Sequence, residues 1–468
     1  MLFTTYYGWH QDFAGLADNL PLRTVGDFES YIARLRQYPK INDTSIAISN
    51  QAIAEGYTLP CVVLDGYEKT ISGVIAEDPT QSRFYAPFTK PKPNGISEAD
   101  WDRLAAETRE IITTVLNPAY QKHLDWYLTK YKPACAKIAS VSAQKGGKAY
   151  YAYLVRAQTT TDLTPDEIHN IGLSEVARIR KEMDEVAKAA GYADRKSFID
   201  ELHHNPKYYA TSAEELMRYA ARQAKAIDGL MPGFFAKLPR LPYGVREIPA
   251  ETAEGTTTAY YSPGSPDAGI AGNYYVNTSR LDQRPLWELP ALTAHEAVPG
   301  HHNQIALQQE LDLPPFRRFA TNYTAYTEGW GLYSERLGIE MGIYDTPEKQ
   351  MGRLSYEMWR ACRLVVDTGV HAKGWTKAQA VAFMRDNTAL TDANIDAEVN
   401  RYISWPGQAL GYKIGELKIR ELRSRAEKAL GDKFDLRQFH NAVLGTGAVP
   451  LDVLEQTIDR WIAKQQKQ

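Results

Sequence analysis

Along most of the chain apolar residues recur at three- and four-residue steps, the spacing of one helix face, and the breaks between such runs are short. Two helix starts are clearly written. From Ser97 the run SEADWDRLAAETREIITTVLNPAYQKHLDWYLTKY opens with a capping Ser and Glu98 in the first turn, and Pro118 predicts a kink or a broken pair. At Thr164-Pro165-Asp166-Glu167 a capping Thr, a Pro at the first helical position and a Glu at the third predict a helix that runs to Gly191. The same periodicity predicts helices at about 195–204, 212–230, 287–310, 315–340, 347–371, 376–387, 391–404, 407–428 and 450–464. Between about 240 and 280 the pattern changes: LPYGVREIPA, TTTAYYS and NYYVNTS are β-branched and aromatic runs bounded by Pro, Gly, Asn and Ser. They predict a small sheet just before the most informative segment. No repeat or low-complexity tract interrupts the chain, and its longest linkers are PKPNG (91–95) and SPGSPDAG (262–269). The expected fold is mainly α, a single helical body over 1–468 with a minor β element.

Composition narrows the partners more than the fold. The 468 residues carry 54 Lys+Arg against 57 Asp+Glu, a net charge of −3 with both signs dispersed, which argues against nucleic acid and anionic membrane surfaces. The opening MLFTTYYGWHQDFAGL lacks the basic and apolar regions of a secretory signal, and no stretch approaches about 18 uncharged apolar residues, so no membrane span is expected. Cys61, Cys135 and Cys362 lie far apart with no CxxC pair, so neither a disulfide framework nor a thiolate zinc site is predicted. Tyr outnumbers Phe 29 to 13, which fits a large half-wet cleft and equally fits tyrosines half-exposed on helices.

Of ten histidines, three fall within eight residues of Ala294-His295-Glu296-Ala297-Val298-Pro299-Gly300-His301-His302-Asn303-Gln304. A zinc hydrolase needs two neutral imidazoles on one side of the metal and a Glu beside the first to take a proton from water. The usual HExxH spacing is absent, because Pro299 stands four residues after His295. On a straight helix His301 would point about 240° away from His295, and His302 would return to within about 20° but lie roughly 10.5 Å further along the axis. Pro299 and Gly300 therefore predict a kink or π-bulge at this point, which favours His301 as the second ligand and keeps His302 open. Glu328, in Thr327-Glu328-Gly329-Trp330-Gly331-Leu332-Tyr333-Ser334-Glu335, is the candidate third ligand. Gly329 and Gly331 weaken a helix, which is understandable if another element must approach its backbone closely. Glu335 shares the face of Glu328 and is a candidate supporting residue.

Further polar residues sit in apolar surroundings. Arg360, Arg363, Asp367 and His371 follow one another at three- and four-residue steps in the helix 347–371, and Arg363 with Asp367 is the natural ion pair. His371 is a candidate for steadying developing charge, as is Tyr412 in the break-and-restart run Arg401-Tyr402-Ile403-Ser404-Trp405-Pro406-Gly407-Gln408-Ala409-Leu410-Gly411-Tyr412. A helix start there also suits oxyanion or carboxylate binding. NYYVNTS offers a strand to which an extended peptide could add. Cys362 reads as a small buried hydrophobe.

With these residues the sequence resembles an uncharacterised bacterial family, known only as a domain of unknown function, whose members carry HExxPGHH followed by EGWxLYxE. The likeness extends through LTPDEIHNIGLSEVARIRKEM, LPRLPYGVREIP, YYVNTS, RACRLVVDTGVH, PGQALGYKIG and FHNAVLGTGAVPL, from about residue 20 to the end. The resemblance implies a helical, gluzincin-like metallopeptidase body, distantly similar to the angiotensin-converting enzyme and oligopeptidase group. It implies His295, His301 and Glu328 as zinc ligands and Glu296 as general base, and it favours His301 over His302 because some members carry Tyr at the second position. It further implies a leader and additional N-terminal helices beyond those written here, and a periplasmic or secreted origin. The expected function is zinc-dependent hydrolysis of peptide bonds, with Tyr412 or His371 steadying the oxyanion. A zinc amidase or esterase acting on a small molecule and a non-catalytic binding protein with a vestigial metal site are the alternatives.

Overall fold

The Thr24 hydroxyl accepts a hydrogen bond from the Asp27 amide while the Asp27 carboxylate accepts one from the Thr24 amide, and this reciprocal cap starts α1 (Val25–Leu35). Its apolar face, with Phe28, Tyr31, Ile32 and Leu35 buried, packs on α3 (Glu98–Ile111), while α2 (Tyr38–Glu55) packs on α4 (Asn117–Trp126). Pro118 does not break the run: a wide π turn, Ile112–Leu116, joins α3 to α4 and absorbs the hydrogen bond that proline cannot donate. The structure is a computed structural model that describes residues 3–4, 7–253 and 256–467. The chain gathers into two compact units, Met1–Gly147 and Lys148–Gln468.

The first unit is rich in buried aromatic rings, among them Trp9, Tyr31, Tyr38, Tyr67, Tyr120, Trp126 and Tyr127. Two neutral histidines sit inside this cluster. His123 stacks on Trp9 at 4.4 Å, and His10 lies 5.0 Å from His123. Cys61 and Cys135 form a disulfide with Cα atoms 5.0 Å apart, which corrects the expectation of no disulfide. Their separation of 74 residues conceals the pairing from the sequence, since only the fold brings the two segments together.

In the second unit the Thr164–Glu167 capping box opens α5 (Pro165–Ala189), followed by α6 (Ala213–Phe234). The three expected strands are β1 (Tyr243–Glu247), β2 (Ala259–Ser262) and β3 (Gly272–Val276). Their order is β1-β3-β2, with β3 parallel to β1 and antiparallel to β2. NYYVNTS is therefore the central strand, paired on both sides, and cannot accept an added peptide strand as the sequence suggested. Among the helices that follow, six bear on the site: α7 (Leu289–Glu296), α8 (His301–Gln309), α9 (Thr324–Leu337), α10 (Pro347–Lys373), α11 (Asp392–Ser404) and α12 (Leu410–Leu430). Every residue of α10 from Met351 to His371 is buried, so this helix is core on all sides. Cys362 is one of those residues, and burial pushes its thiol up, as fits a small hydrophobe. Among the described residues no helix is long and apolar enough to cross a membrane.

Candidate metal centre

The predicted helix over 287–310 is two helices. The chain leaves α7 at Glu296, passes Ala297 and a cis Val298–Pro299 peptide, and restarts as α8 at His301. Pro299 has no N–H to continue the ladder, and the backbone of Gly300 lies so close to the His295 carbonyl that a Cβ there would fall 1.8 Å from its oxygen. The His302 amide instead reaches back to the Ala297 carbonyl at 3.0 Å. A full break, rather than a bulge in one helix, frees α8 to take its own direction and so presents His301 to the same point as His295.

That point is shared with α9. Glu328 Oε2 lies 3.4 Å from His295 Nε2 and 3.3 Å from His301 Nε2, and one ligand atom from each of the three residues lies within 4.8 Å of the others. The glycines of α9 explain why it comes so close. A Cβ on Gly331 would stand 2.6 Å from His295 Cε1, and one on Gly329 would stand 2.6 Å from the backbone of Gly415 on α12. Behind the ligands, His295 Nδ1 pairs with Glu335 Oε1 at 2.7 Å, and the same oxygen receives Arg360 Nη2 of α10 at 3.1 Å. This is the orienting contact that a metal-bound imidazole normally makes.

The electrostatics of the cluster tie its members to one another. Burial works against charge on His295, yet the nearby carboxylates of Glu328 and Glu335 overrule it and raise the imidazole to about 9. Burial alone would raise Glu328 as well, but His301 and His295 hold its carboxyl well below the usual range. Glu296 is raised, chiefly by burial, and feels His295, His301 and Glu328 together. Glu328 Oε2 is buried without a hydrogen-bond partner among the described residues. Two ring nitrogens and an unpartnered carboxylate oxygen form a donor set that would suit a divalent ion such as zinc.

The structure distributes the other candidates unevenly. His302 turns away, with Nδ1 3.0 Å from the Tyr261 hydroxyl and its ring against Tyr243, and burial lowers it to about 4. Tyr412 lies parallel to His295 with ring centres 6.5 Å apart, and its hydroxyl accepts from Arg401 at 3.1 Å. His371 is not brought to the cluster. It follows Arg360 by eleven residues, roughly 16 Å along α10, and its Nε2 meets the Tyr402 carbonyl at 3.0 Å. The expected Arg363–Asp367 pair is not formed either: Arg363 reaches Glu398 at 2.9 Å, while Asp367 accepts from the Tyr151 hydroxyl at 2.6 Å and from the Gly407 amide. Both find better partners on other elements, which spacing along one helix cannot reveal. Arg360 and Arg401 had no assigned role in the sequence, although an arginine in an otherwise apolar helix was the signal for the first.

Fold and site together define a mainly α protein with a small three-stranded sheet and a buried two-histidine, one-carboxylate cluster. The chain belongs to the family described as "Bacterial protein of unknown function (DUF885)", whose model matches residues 1–458. It is similar to a crystal structure of a "putative lipoprotein" from Colwellia psychrerythraea, with 35% identity and a TM-score of 0.93 over 97% of this chain and 79% of that one. A second structure, a "putative lipoprotein of unknown function" from Shewanella oneidensis, shares the fold at 20% identity and a TM-score of 0.71, over 97% of this chain and 82% of that one. Comparison with curated proteins finds no match.

Proposed function

We propose that this chain is a zinc-dependent peptidase, with His295, His301 and Glu328 holding the metal and Glu296 acting as general base. The observation that carries the reading is the convergence of three ligand atoms within 4.8 Å from α7, α8 and α9, beside a fourth group, Glu296, that the cluster keeps within electrostatic reach. Zinc bound there would supply a Lewis acid and an acidified water. Glu335 holds the Nδ1 side of His295, so that Nε2 faces the ligand position. Glu296 takes the water proton on its carboxylate and returns it to the departing amine. Tyr412, whose oxygen already accepts from Arg401, has its own proton to give to the developing oxyanion. The likeness of the motifs to gluzincin peptidases supports an amide as the bond that is cleaved. The Cys61–Cys135 disulfide and the lipoprotein description of the structural relatives support an extracytoplasmic location.

The test is Glu296→Gln. Zinc stoichiometry should stay near that of the unaltered protein while peptide hydrolysis falls by about 10² to 10⁴. Undiminished turnover would remove Glu296 from the mechanism, and loss of zinc would make it a ligand.

A further inference from the structure

Beside the candidate centre, two guanidiniums share one carboxylate. Arg363 Nη2 of α10 lies 2.9 Å from Glu398 Oε2, and Arg401 Nη1 of α11 lies 3.4 Å from Glu398 Oε1. Their other hydrogen-bond partners are neutral: Arg363 Nε donates to the Tyr402 hydroxyl at 3.0 Å, and Arg401 Nη2 donates to Gln408 Oε1 at 2.7 Å and to the Tyr412 hydroxyl at 3.1 Å. One positive charge is thus left over. Arg363, with its side chain 2% exposed, also keeps Nη1 buried without a hydrogen-bond acceptor among the described residues. A buried donor and a buried charge, both unmatched, are costly to hold in the absence of an anion.

The position of this charge says what the anion belongs to. Both guanidiniums flank Tyr412, with Cζ atoms 4.3 Å (Arg363) and 5.9 Å (Arg401) from its ring centre, and that ring is the one stacked parallel to His295 at 6.5 Å. A peptide advances about 3.3–3.6 Å per residue. Through Tyr412 the two guanidiniums lie no more than about 11–12 Å from the His295 ring, the span of about three residues from a bond held at His295, His301 and Glu328. The Arg401 side chain is 26% exposed and so can be reached from solvent, whereas Arg363 stands behind it. A guanidinium fork matches the two oxygens of a carboxylate, which a neutral amide does not.

Resting on the peptidase reading, we propose that Arg401, backed by Arg363, binds a substrate carboxylate within about three residues of the scissile bond. Peptides with a free C-terminus, or with an acidic side chain at that distance, are the class it selects. The binding arm needs no catalysis. The metal-free full chain is titrated calorimetrically with acetyl-trialanine as free acid, with its amide, and with acetyl-Ala-Asp-Ala amide. The free acid should bind at least tenfold tighter than the trialanine amide. Arg401→Gln should erase that difference, and Arg401→Lys should keep part of it. The aspartyl amide separates the two carboxylate sources: binding like the acid admits the side chain, and binding like the amide requires the free terminus. Equal binding of acid and amide by the unaltered protein, or a preference that survives Arg401→Gln, overturns the proposal. Acid-selective binding with no hydrolysis of any of the three peptides by the zinc-loaded chain would overturn the peptidase reading and leave the carboxylate site standing.

Discussion

Replacing Gly331 by Ala tests whether the approach of α9 to His295 serves the metal. The new Cβ would lie 2.6 Å from His295 Cε1, 2.7 Å from Nε2 and 3.0 Å from Nδ1, where ordinary contact begins at 3.4 Å. The ring must then retreat by about 0.8 Å, a large step against a zinc–nitrogen bond of about 2.0–2.1 Å. It cannot retreat freely, because Nδ1 is anchored to Glu335 at 2.7 Å and Glu335 to Arg360 at 3.1 Å. Disturbing the groups that orient a ligand typically weakens metal binding about 10- to 100-fold, and a similar loss is expected here. Fold stability should change much less: the helix gains up to about 1 kcal/mol from alanine, offset by about 1–3 kcal/mol of overpacking. Gly329→Ala is the control. Its Cβ would meet the backbone of Gly415 at 2.6 Å, which cannot swing aside, so this variant should lower the melting temperature by forcing α9 from α12. Chelator competition for zinc and thermal melts on both variants separate the effects. Unchanged zinc affinity in Gly331→Ala would refute the reasoning.

Acid should open the first unit early. Burial lowers His10 to about 3 and His123, helped by the His10 charge, to about 2, both below the ordinary 6.5. The unfolded chain therefore takes up these protons first, so the stability they contribute is present above pH 6.5 and lost as pH falls below it, by roughly 4 kcal/mol at pH 5 for the pair. Fluorescence of Trp9, stacked on His123, should report that transition, and a signal flat from pH 7 to 4.5 would contradict it. In the second unit Lys413 is fully buried and meets Glu175, Glu357 and Glu416 at 2.9, 3.0 and 2.9 Å. Lys413→Met should destabilise by about 3–5 kcal/mol in urea, because the buried Glu357 and Glu416 and the part-buried Glu175 lose their common cation. A loss below about 1 kcal/mol would show that Arg178, Arg353 and Arg336 suffice to hold Glu357.

What the sequence disclosed depended on how local the cause was. The caps at Thr164 and Ser97 act within one turn, so α5 and α3 were legible from a few residues. Glu335 was legible because it shares a face with Glu328, and the need for Gly329 and Gly331 was legible as a cost without a local benefit. The choice between His301 and His302 was not legible from helical phase, because the break at Val298-Pro299-Gly300 resets the direction of the chain and no phase carries across it. Partners across elements stayed hidden: Arg360 with Glu335, Arg363 with Glu398, and Cys61 with Cys135 are 25, 35 and 74 residues apart. The helices Val25–Leu35 and Tyr38–Glu55 were passed over, the second because its polar residues Asn42, Ser45 and Ser49 face inward and blur the pattern.

The central claim is that His295, His301 and Glu328 bind one zinc. The direct measurement is metal analysis of the full-length chain after zinc loading and exhaustive dialysis, on the unaltered protein, His301→Ala and His302→Ala side by side. The account predicts one zinc per chain in the unaltered protein, none in His301→Ala, and close to one in His302→Ala. Zinc at background in the unaltered protein, or zinc lost from His302→Ala and kept by His301→Ala, would contradict it.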